Sequence, residues 1–447
     1  MLWKNDKNRH RHVSSFQVII LGFMMVILLG SLCLMLPFAT RNGQGASFMD
    51  ALFTSTSAVC VTGLVVHDTA TYWSVFGQTV ILFLIQIGGM GVVTIGVSIA
   101  IFSGKKISLM QRSTMSEAIS APQVGGIVRM TEFILKTTLA VELFGAVLMA
   151  PVFCRDFGLM QGIWYAIFHS ISAFCNAGFD LIGVRTPFSS LTTYSTQPVI
   201  NLTIMALIII GGIGFFTWED VGRNRWHLAK YRMQSKVILS MTAMLIVFPA
   251  LWFFFCEFSD LPLGERILNS FFQAVTPRTA GFNTADLSSL TEAGQTITIV
   301  LMLIGGSPGS TAGGMKTTTI AVLGSSALAV FRQKEHAHFF RRRIPGEAIR
   351  NAGTILMMYL ILFLFGGMFI SFREGIPVLS ALFETASAIG TVGLTLGITP
   401  GLSLASRLVL IVLMFFGRVG GLTLIYATIS SRQGRATAFP QEKITVG

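Results

Sequence analysis

Charge is scarce in this chain. Asp, Glu, Lys and Arg make up 12% of its 447 residues, whereas average proteins carry roughly 25%. Hydrophobic residues make up 52%, and the mean hydropathy is +0.70. No stretch is long and polar enough to form a separate soluble domain. The composition is that of a polytopic membrane protein. Cysteine is also sparse. Cys33, Cys60, Cys154, Cys175 and Cys256 show no pair spacing that suggests a metal site or a disulfide framework. They read as small apolar packers. No catalytic constellation is visible, so an enzyme is not expected, and neither is a covalent cofactor. The apolar run 18–38 follows a basic start but has no A-x-A cleavage pattern and exceeds a signal-peptide core. It reads as a retained first helix.

Negative charge is the scarcer sign, and the formal net charge is +12. The basic residues are not spread as a nucleic-acid binder would spread them. They gather at 4–11, 105–112, 223–236, 332–350 and 432–443. Excess Lys and Arg mark the cytoplasmic side of a membrane. Five such clusters, before, between and after four apolar blocks, imply that each block crosses an even number of times. Both termini are then cytoplasmic, and a multi-pass membrane protein is expected.

The four blocks are repeats. Phe53 precedes Gly63 by ten residues, as Phe168 precedes Gly178, Phe271 precedes Gly281 and Phe383 precedes Gly393. The glycines are 115, 103 and 112 residues apart (178 − 63, 281 − 178, 393 − 281). Each closes a short turn: Val61-Thr62-Gly63, Asn176-Ala177-Gly178, Thr279-Ala280-Gly281 and Thr391-Val392-Gly393. Self-similarity of this kind sets the architecture. Each turn lies between two apolar segments of spanning length, first helices near 16–37, 127–151, 236–257 and 349–371, second helices near 74–101, 196–216, 295–330 and 404–428. The runs 48–60, 160–174, 264–277 and 378–389 are too short to cross and read as half-helices that dip into the membrane, each followed by an extended return strand. The expected fold is all-α and polytopic: four pseudo-repeats of helix, pore helix, filter strand and helix, with eight spans and four re-entrant half-helices around a central pore. The expected boundaries are a tail at 1–15, repeat one at 16–104, a loop at 105–126, repeat two at 127–222, a loop at 223–235, repeat three at 236–331, a loop at 332–348, repeat four at 349–430 and a tail at 431–447. Four converging helix C-termini would favour a cation, and a ring of main-chain carbonyls can replace its water shell.

Glycines recur in the second helices. Gly88-Gly89-Met90-Gly91 and Gly211-Gly212-Ile213-Gly214 read as close-packing positions. Repeat three differs. Gly305-Gly306-Ser307-Pro308-Gly309-Ser310-Thr311-Ala312-Gly313-Gly314 cannot remain a regular helix, so that helix should break mid-membrane into a loop beneath the turns. Lys316 follows it. The stretch 309–316 superficially resembles a phosphate loop but lacks the spacing and the preceding strand, so Lys316 is placed near the cytoplasmic mouth instead.

This pattern resembles the Trk/Ktr/HKT superfamily of cation transporters, most closely its bacterial KtrB-type and NtpJ-type potassium-translocating subunits. The likeness spans the chain and is carried by the four turns, the 305–314 loop with Met315-Lys316-Thr317, and Phe416-Gly417-Arg418-Val419-Gly420-Gly421. The resemblance implies that the four turns form a potassium-selectivity filter through their carbonyls, with glycine at all four positions favouring potassium over sodium. It implies that loop 305–314, with Lys316 and Arg418, is an intramembrane gate. It further implies a homodimer on a cytoplasmic RCK-type nucleotide-binding regulatory subunit, and sodium stimulation. An ion-coupled secondary transporter, driven by sodium or protons, is the alternative; it would lead one to expect two inverted halves.

Among single residues, Arg418 should need a partner at membrane depth: either carbonyls freed by the broken loop, or an acid such as Glu142. Asp68, Asp180 and Asp286 follow their turn glycines and are either solvated loop charges or a negative vestibule. His169 and Glu384 in the half-helices read as hydrogen-bonding structural residues. The cluster Arg341 to Arg343, beside Phe339 and Phe340, could bind membrane lipid, orient the chain, or dock a cytosolic partner.

Overall fold

Four long apolar helices lead the four repeats: Ser15–Leu34, Ile127–Phe157, Met233–Trp252, continued by a π-turn to Glu257, and Gly346–Glu374. All four are long and apolar enough to cross a membrane. Their outward faces carry exposed Leu, Met and Phe, as a lipid-facing surface would. This computed structural model describes residues 14–103, 107–119, 126–421 and 423. The C-terminal tail 431–447, nearly all of the tail 1–15, and the expected end of the last helix beyond 423 lie outside the described residues.

The face where the first helices end is called upper here. At that face each chain segment turns back into a short helix: Phe48–Val59, Leu159–Phe174, Leu263–Val275 and Val378–Gly390. At 12, 16, 13 and 13 residues and about 1.5 Å per residue, none reaches across a bilayer core of about 30 Å. The second helices start again at the upper face, capped by the Ser74 and Thr291 side chains at two of the four starts. Two acids at the ends of first helices tie these starts down. Glu257 accepts from the Thr291 backbone N–H at 3.0 Å, and Glu374 accepts from the Ser403 backbone N–H at 3.2 Å.

The second helices depart from expectation. A break was expected only in repeat three, with the glycines of repeats one and two as packing positions. Instead Val75–Met90 is followed by Val92–Phe102, bent by 93°, and Pro198–Gly212 by Phe215–Asn224, bent by 99°. The break residues are Gly91 at φ +86° and Gly214 at φ +92°. In repeat four the helix Leu404–Val419 stops at Gly420, φ +88°. Only glycine takes such angles without strain. The packing role falls to the glycine three positions earlier. A Cβ on Gly88, Gly211 or Gly417 would run into the carbonyl oxygen of Val59, Phe174 or Ile389, at the inner end of the short helix of the same repeat. The sequence carried this signal as a glycine at i and i+3 in three repeats.

The register of repeat three also needs correction. Phe53, Phe168 and Phe383 are wholly buried, but Phe271 is 42% exposed and its neighbour Phe272 is wholly buried. The structural counterpart is therefore Phe272, nine residues before Gly281 rather than ten. The cause lies in the turn. Thr62, Ala177 and Val392 donate their backbone N–H groups to carbonyls five residues back, on Ser57, Ser172 and Ser387, at 2.8 Å each. Ala280 donates to Thr276, only four back, at 3.0 Å. One residue is missing from the third turn, and the Phe-Phe doublet hides the slip. The short helix ends at Val275, two residues before the expected 277, at Thr276-Pro277.

Among the described residues the only strand pair is a small hairpin, His338–Phe339 with Arg342–Arg343. It carries the exposed Arg341, Arg342 and Arg343, and Lys236 lies over the Phe340 ring at 5.9 Å.

Candidate functional site

The four turns share one local geometry. The residue two before each glycine takes a left-handed angle: Val61 at φ +51°, Asn176 at +58°, Thr279 at +68° and Thr391 at +53°. The glycines follow at φ +89°, +68°, +79° and +94°. Left-handed φ at a β-branched residue such as Val61 or Thr391 costs about 1–2 kcal/mol. It persists only where the surroundings over-determine it, and here these residues are buried.

The turns also meet. A Cβ added to Gly63 would lie 2.5 Å from the Ala177 oxygen and 3.2 Å from Gly178 Cα. One added to Gly178 would lie 2.5 Å from the Ala280 oxygen and 2.9 Å from Gly281 Cα. At Gly281 it would strike the Val392 oxygen, and at Gly393 the Thr62 oxygen. Each glycine thus abuts the carbonyl of the residue before the next glycine, and the fourth closes on the first. Val61, Thr62 and Gly63, Asn176, Ala177 and Gly178, Thr279, Ala280 and Gly281, and Thr391, Val392 and Gly393 are brought into a closed ring of main chain. Four inner helix ends surround it, each carrying about −0.5 of an elementary charge.

Beneath the ring lies the glycine-rich break of repeat three. The helix Glu292–Leu303 ends before it and Thr317–Phe331 begins after it, with Gly309 at φ +63° and Gly314 at +67°. Its backbone polar groups are held by neighbours rather than by its own helix, as buried main chain requires. Ser307 and Thr311 donate N–H to Gly212 O and Gly211 O, at 3.0 and 3.2 Å. Gly314 donates to Gly417 O at 3.1 Å, and Gly309 O accepts from Phe215 N–H at 2.7 Å. Loop 305–314 is therefore suspended between the break in repeat two and the last helix of repeat four.

Arg418 closes this arrangement. Its guanidinium donates to Thr311 O in the loop, to Gly88 O, and to Gly89 O at 3.1 Å. The break at Gly91 strips the last carbonyls of Val75–Met90 of helical partners, and a cation at that helix end is favoured. Of the two partners expected for Arg418, the freed carbonyls are observed. Among the described residues it forms no ion pair with Glu142, which accepts instead from Gln86 Nε2 at 3.2 Å. Lys316 folds back on the loop, donating to Ala312 O at 2.8 Å and Gly313 O at 3.3 Å. Lys316, Arg418, Gly309 and Ser310 line a cavity of about 250 Å³ below the ring.

The upper acids divide. Asp68 is buried and accepts from the backbone N–H groups of Ala70, Thr71 and Phe188, at 3.1, 2.9 and 2.9 Å, so it is a strut between repeats one and two. Asp286 caps Ser288 at 2.9 Å. Asp180 is partly exposed, two residues beyond Gly178. Burial first, and the nearby Asp68 second, push its carboxyl up to about 7. His169 and Glu384 are structural, as expected. His169 Nδ1 meets Tyr165 O at 2.7 Å while Nε2 accepts from Leu181 N–H at 3.3 Å, which fixes a neutral ring. Glu384 accepts from Thr395 and, at 2.9 Å, from Thr399.

Two features were not anticipated. Arg278, in the shortened third turn, is buried, and its Nη1 finds no hydrogen-bond partner among the described residues. Asn176 hydrogen-bonds to both the third turn and the loop. The signal for Asn176 was its departure from the apolar or threonine residues at the matching positions, Val61, Thr279 and Thr391.

The family profile for TrkH, described as cation transport protein, matches residues 1–437. The chain is 41% identical to the potassium/sodium uptake protein NtpJ of Enterococcus hirae, over 99% of both chains. It is 39% identical to the Ktr system potassium uptake protein B of Bacillus subtilis, over 96% of both. Among solved structures it matches the crystal structure of the potassium transporter TrkH from Vibrio parahaemolyticus with a TM-score of 0.74, at 20% identity, over 95% of this chain and 87% of that one.

Proposed function

The chain belongs to the TrkH family of cation transport proteins, and from that premise we propose that it is the membrane-spanning, ion-conducting subunit of a potassium uptake system. The observation that carries the proposal is the closed ring of four glycine turns. In this reading its twelve residues are the selectivity filter, and their carbonyls replace the hydration shell of a potassium ion at little reorganisation cost. Loop 305–314, Lys316 and Arg418 are the gate below it. The upper face is outside and both termini are cytoplasmic, because the basic clusters at 223–236 and 332–350 lie at the lower face. The plasma membrane of a bacterium is the proposed location. Two chains would form a homodimer, each with its own pore, on an RCK-type nucleotide-binding subunit. Glycine at all four ring positions favours potassium, and the name of the Enterococcus relative adds sodium as the second ion to test.

The test is flux into proteoliposomes holding the purified full-length chain, with potassium and sodium in separate arms. Wild type should conduct potassium in preference to sodium. Gly63→Ser should erase that preference, because its Cβ has no room beside Ala177 O. A selectivity unchanged by Gly63→Ser would remove the ring from the conduction path.

A further inference from the structure

One side chain joins the ring to the loop. Asn176 stands two residues before Gly178, at φ +58°, a left-handed angle that asparagine tolerates better than most residues. Its amide nitrogen donates to Arg278 O at 3.1 Å and to Thr279 Oγ1 at 3.4 Å, both in the third turn. Its amide oxygen accepts from Thr311 Oγ1 at 3.3 Å, in the loop. Thr311 is itself pinned three further ways. Its single hydroxyl proton is shared between Asn176 Oδ1 and, at 2.9 Å, Phe174 O, its N–H donates to Gly211 O at 3.2 Å, and its carbonyl accepts from Arg418. The matching positions offer no equivalent link. Val61 has no polar side-chain atom, and the buried Thr391 hydroxyl has no partner among the described residues.

We propose that Asn176 is a positioning residue that couples the loop to the ring, so that cation occupancy between the turns and the placement of loop 305–314 bias one another. The physical reason is that one carboxamide serves both. With Thr311 in place, the amide plane is fixed by its oxygen, and its nitrogen holds the second turn against the third. When the loop moves, Arg418 and Gly211 release Thr311, and the oxygen of Asn176 loses its donor. The amide is then free to rotate, and the spacing of turns two and three loosens. Coupling of this kind is reciprocal: a cation that tightens the ring also favours the seated loop. A neutral hydrogen bond at this distance supports an effect of about two- to tenfold on apparent cation affinity.

This inference rests on the ring being a cation filter, and the experiment separates the two. A single cysteine is placed at Ser310 in the full-length chain with its native cysteines replaced, and the protein is reconstituted in liposomes. The rate of thiol modification at position 310 is followed while potassium is titrated, and potassium flux is measured on the same preparation. The background is compared with Asn176→Gly, which keeps the left-handed backbone but removes the amide, with Thr311→Val, with the two combined, and with Thr311→Ser, which keeps the hydroxyl. Potassium should slow modification in the background. Either single substitution should weaken the potassium dependence by about two- to tenfold, the double should add nothing further, and Thr311→Ser should restore the dependence. Flux in the background with a potassium dependence that the single substitutions leave intact, or that they reduce additively, overturns the coupling alone. So does flux without any potassium dependence of modification. No potassium flux in the background overturns the filter reading and this inference with it. If Asn176→Gly fails to fold, Asn176→Thr, the residue that holds the same left-handed angle at positions 279 and 391, takes its place in the cycle with Thr311→Val.

Discussion

The upper halves of the four repeats agree in backbone geometry, whereas one lower half parts from the other three. Around the ring, four segments with little sequence in common adopt the same pair of left-handed residues and the same contact with the next turn. Below the ring, three second helices break alike, at Gly91, Gly214 and Gly420, while the third opens into loop 305–314. A spherical ion takes ligands from all sides at once, so the quarters of a ring that binds it must agree. A gate needs only one moving part and something to hold it. If loop 305–314 is the gate, as proposed, the lower halves divide that labour, with repeat three supplying the loop, repeats one and two supplying carbonyls and N–H partners at their breaks, and repeat four supplying Arg418.

This contrast can be broken first at the odd quarter of the ring. The third turn is one residue short, and Phe272 fills the place that Phe53, Phe168 and Phe383 fill elsewhere. Phe272→Ala should cost about 3–5 kcal/mol, seen as a large drop in the unfolding temperature of the purified protein. Phe271→Ala at an exposed site should cost within about 0.5 kcal/mol. Equal losses would restore the ten-residue register.

A second break concerns the lower half alone. Arg418→Gln removes a charge-assisted anchor from Thr311, Gly88 and Gly89 carbonyls. Each such bond contributes about 1.5–3 kcal/mol, so potassium flux in proteoliposomes should rise by about tenfold or more while ion preference stays that of wild type. Unchanged flux would leave Arg418 a purely structural cap.

The smallest effect tests how equal the four quarters are at the upper mouth. Two residues beyond the ring glycines stand Val65, Asp180, Asn283 and Thr395, and only one is acidic. With its carboxyl pushed up to about 7, Asp180 is neutral below that pH and negative above it. The folded chain holds this proton more tightly than the unfolded chain, where aspartate titrates near about 3.9. Stability contributed by the group therefore declines as pH rises from about 4 to about 7. Cation attraction changes the other way and grows as pH passes about 7. Uptake at low potassium should rise about two- to fivefold between pH 6 and pH 8, and Asp180→Asn should flatten that rise. A wild-type profile that is already flat would place Asp180 outside the ion's path.

Much of this was legible without coordinates. Apolar runs of spanning length, short half-helices and a glycine at a constant place in four blocks are one-dimensional patterns, and each follows from local rules of helix length and φ. The glycine-rich break of repeat three was legible for the same reason, since no ten-residue stretch with five glycines and a proline stays helical. The breaks at Gly91 and Gly214 are not legible because a glycine in an apolar helix, even within a cluster of three, serves either close packing or a sharp turn, and the choice depends on what lies beside it. Here the carbonyls of Val59 and Phe174 claimed Gly88 and Gly211 for packing, which left Gly91 and Gly214 to bend.

The sequence by itself determined the class of molecule, the number of repeats, the four turn glycines and the need of Arg418 for a partner, because hydrophobic length, backbone freedom and the cost of a buried charge are properties of residues taken one segment at a time. Only the tertiary structure decided that the turns close on one another in the order 63, 178, 281, 393, that the third is one residue short, that Arg418 serves carbonyls rather than Glu142, and that Asn176 touches both ring and loop. Those outcomes depend on which groups are left without hydrogen-bond partners when distant segments meet, and that is settled by geometry across roughly a hundred residues of chain or more, such as the 102 between Asn176 and Arg278.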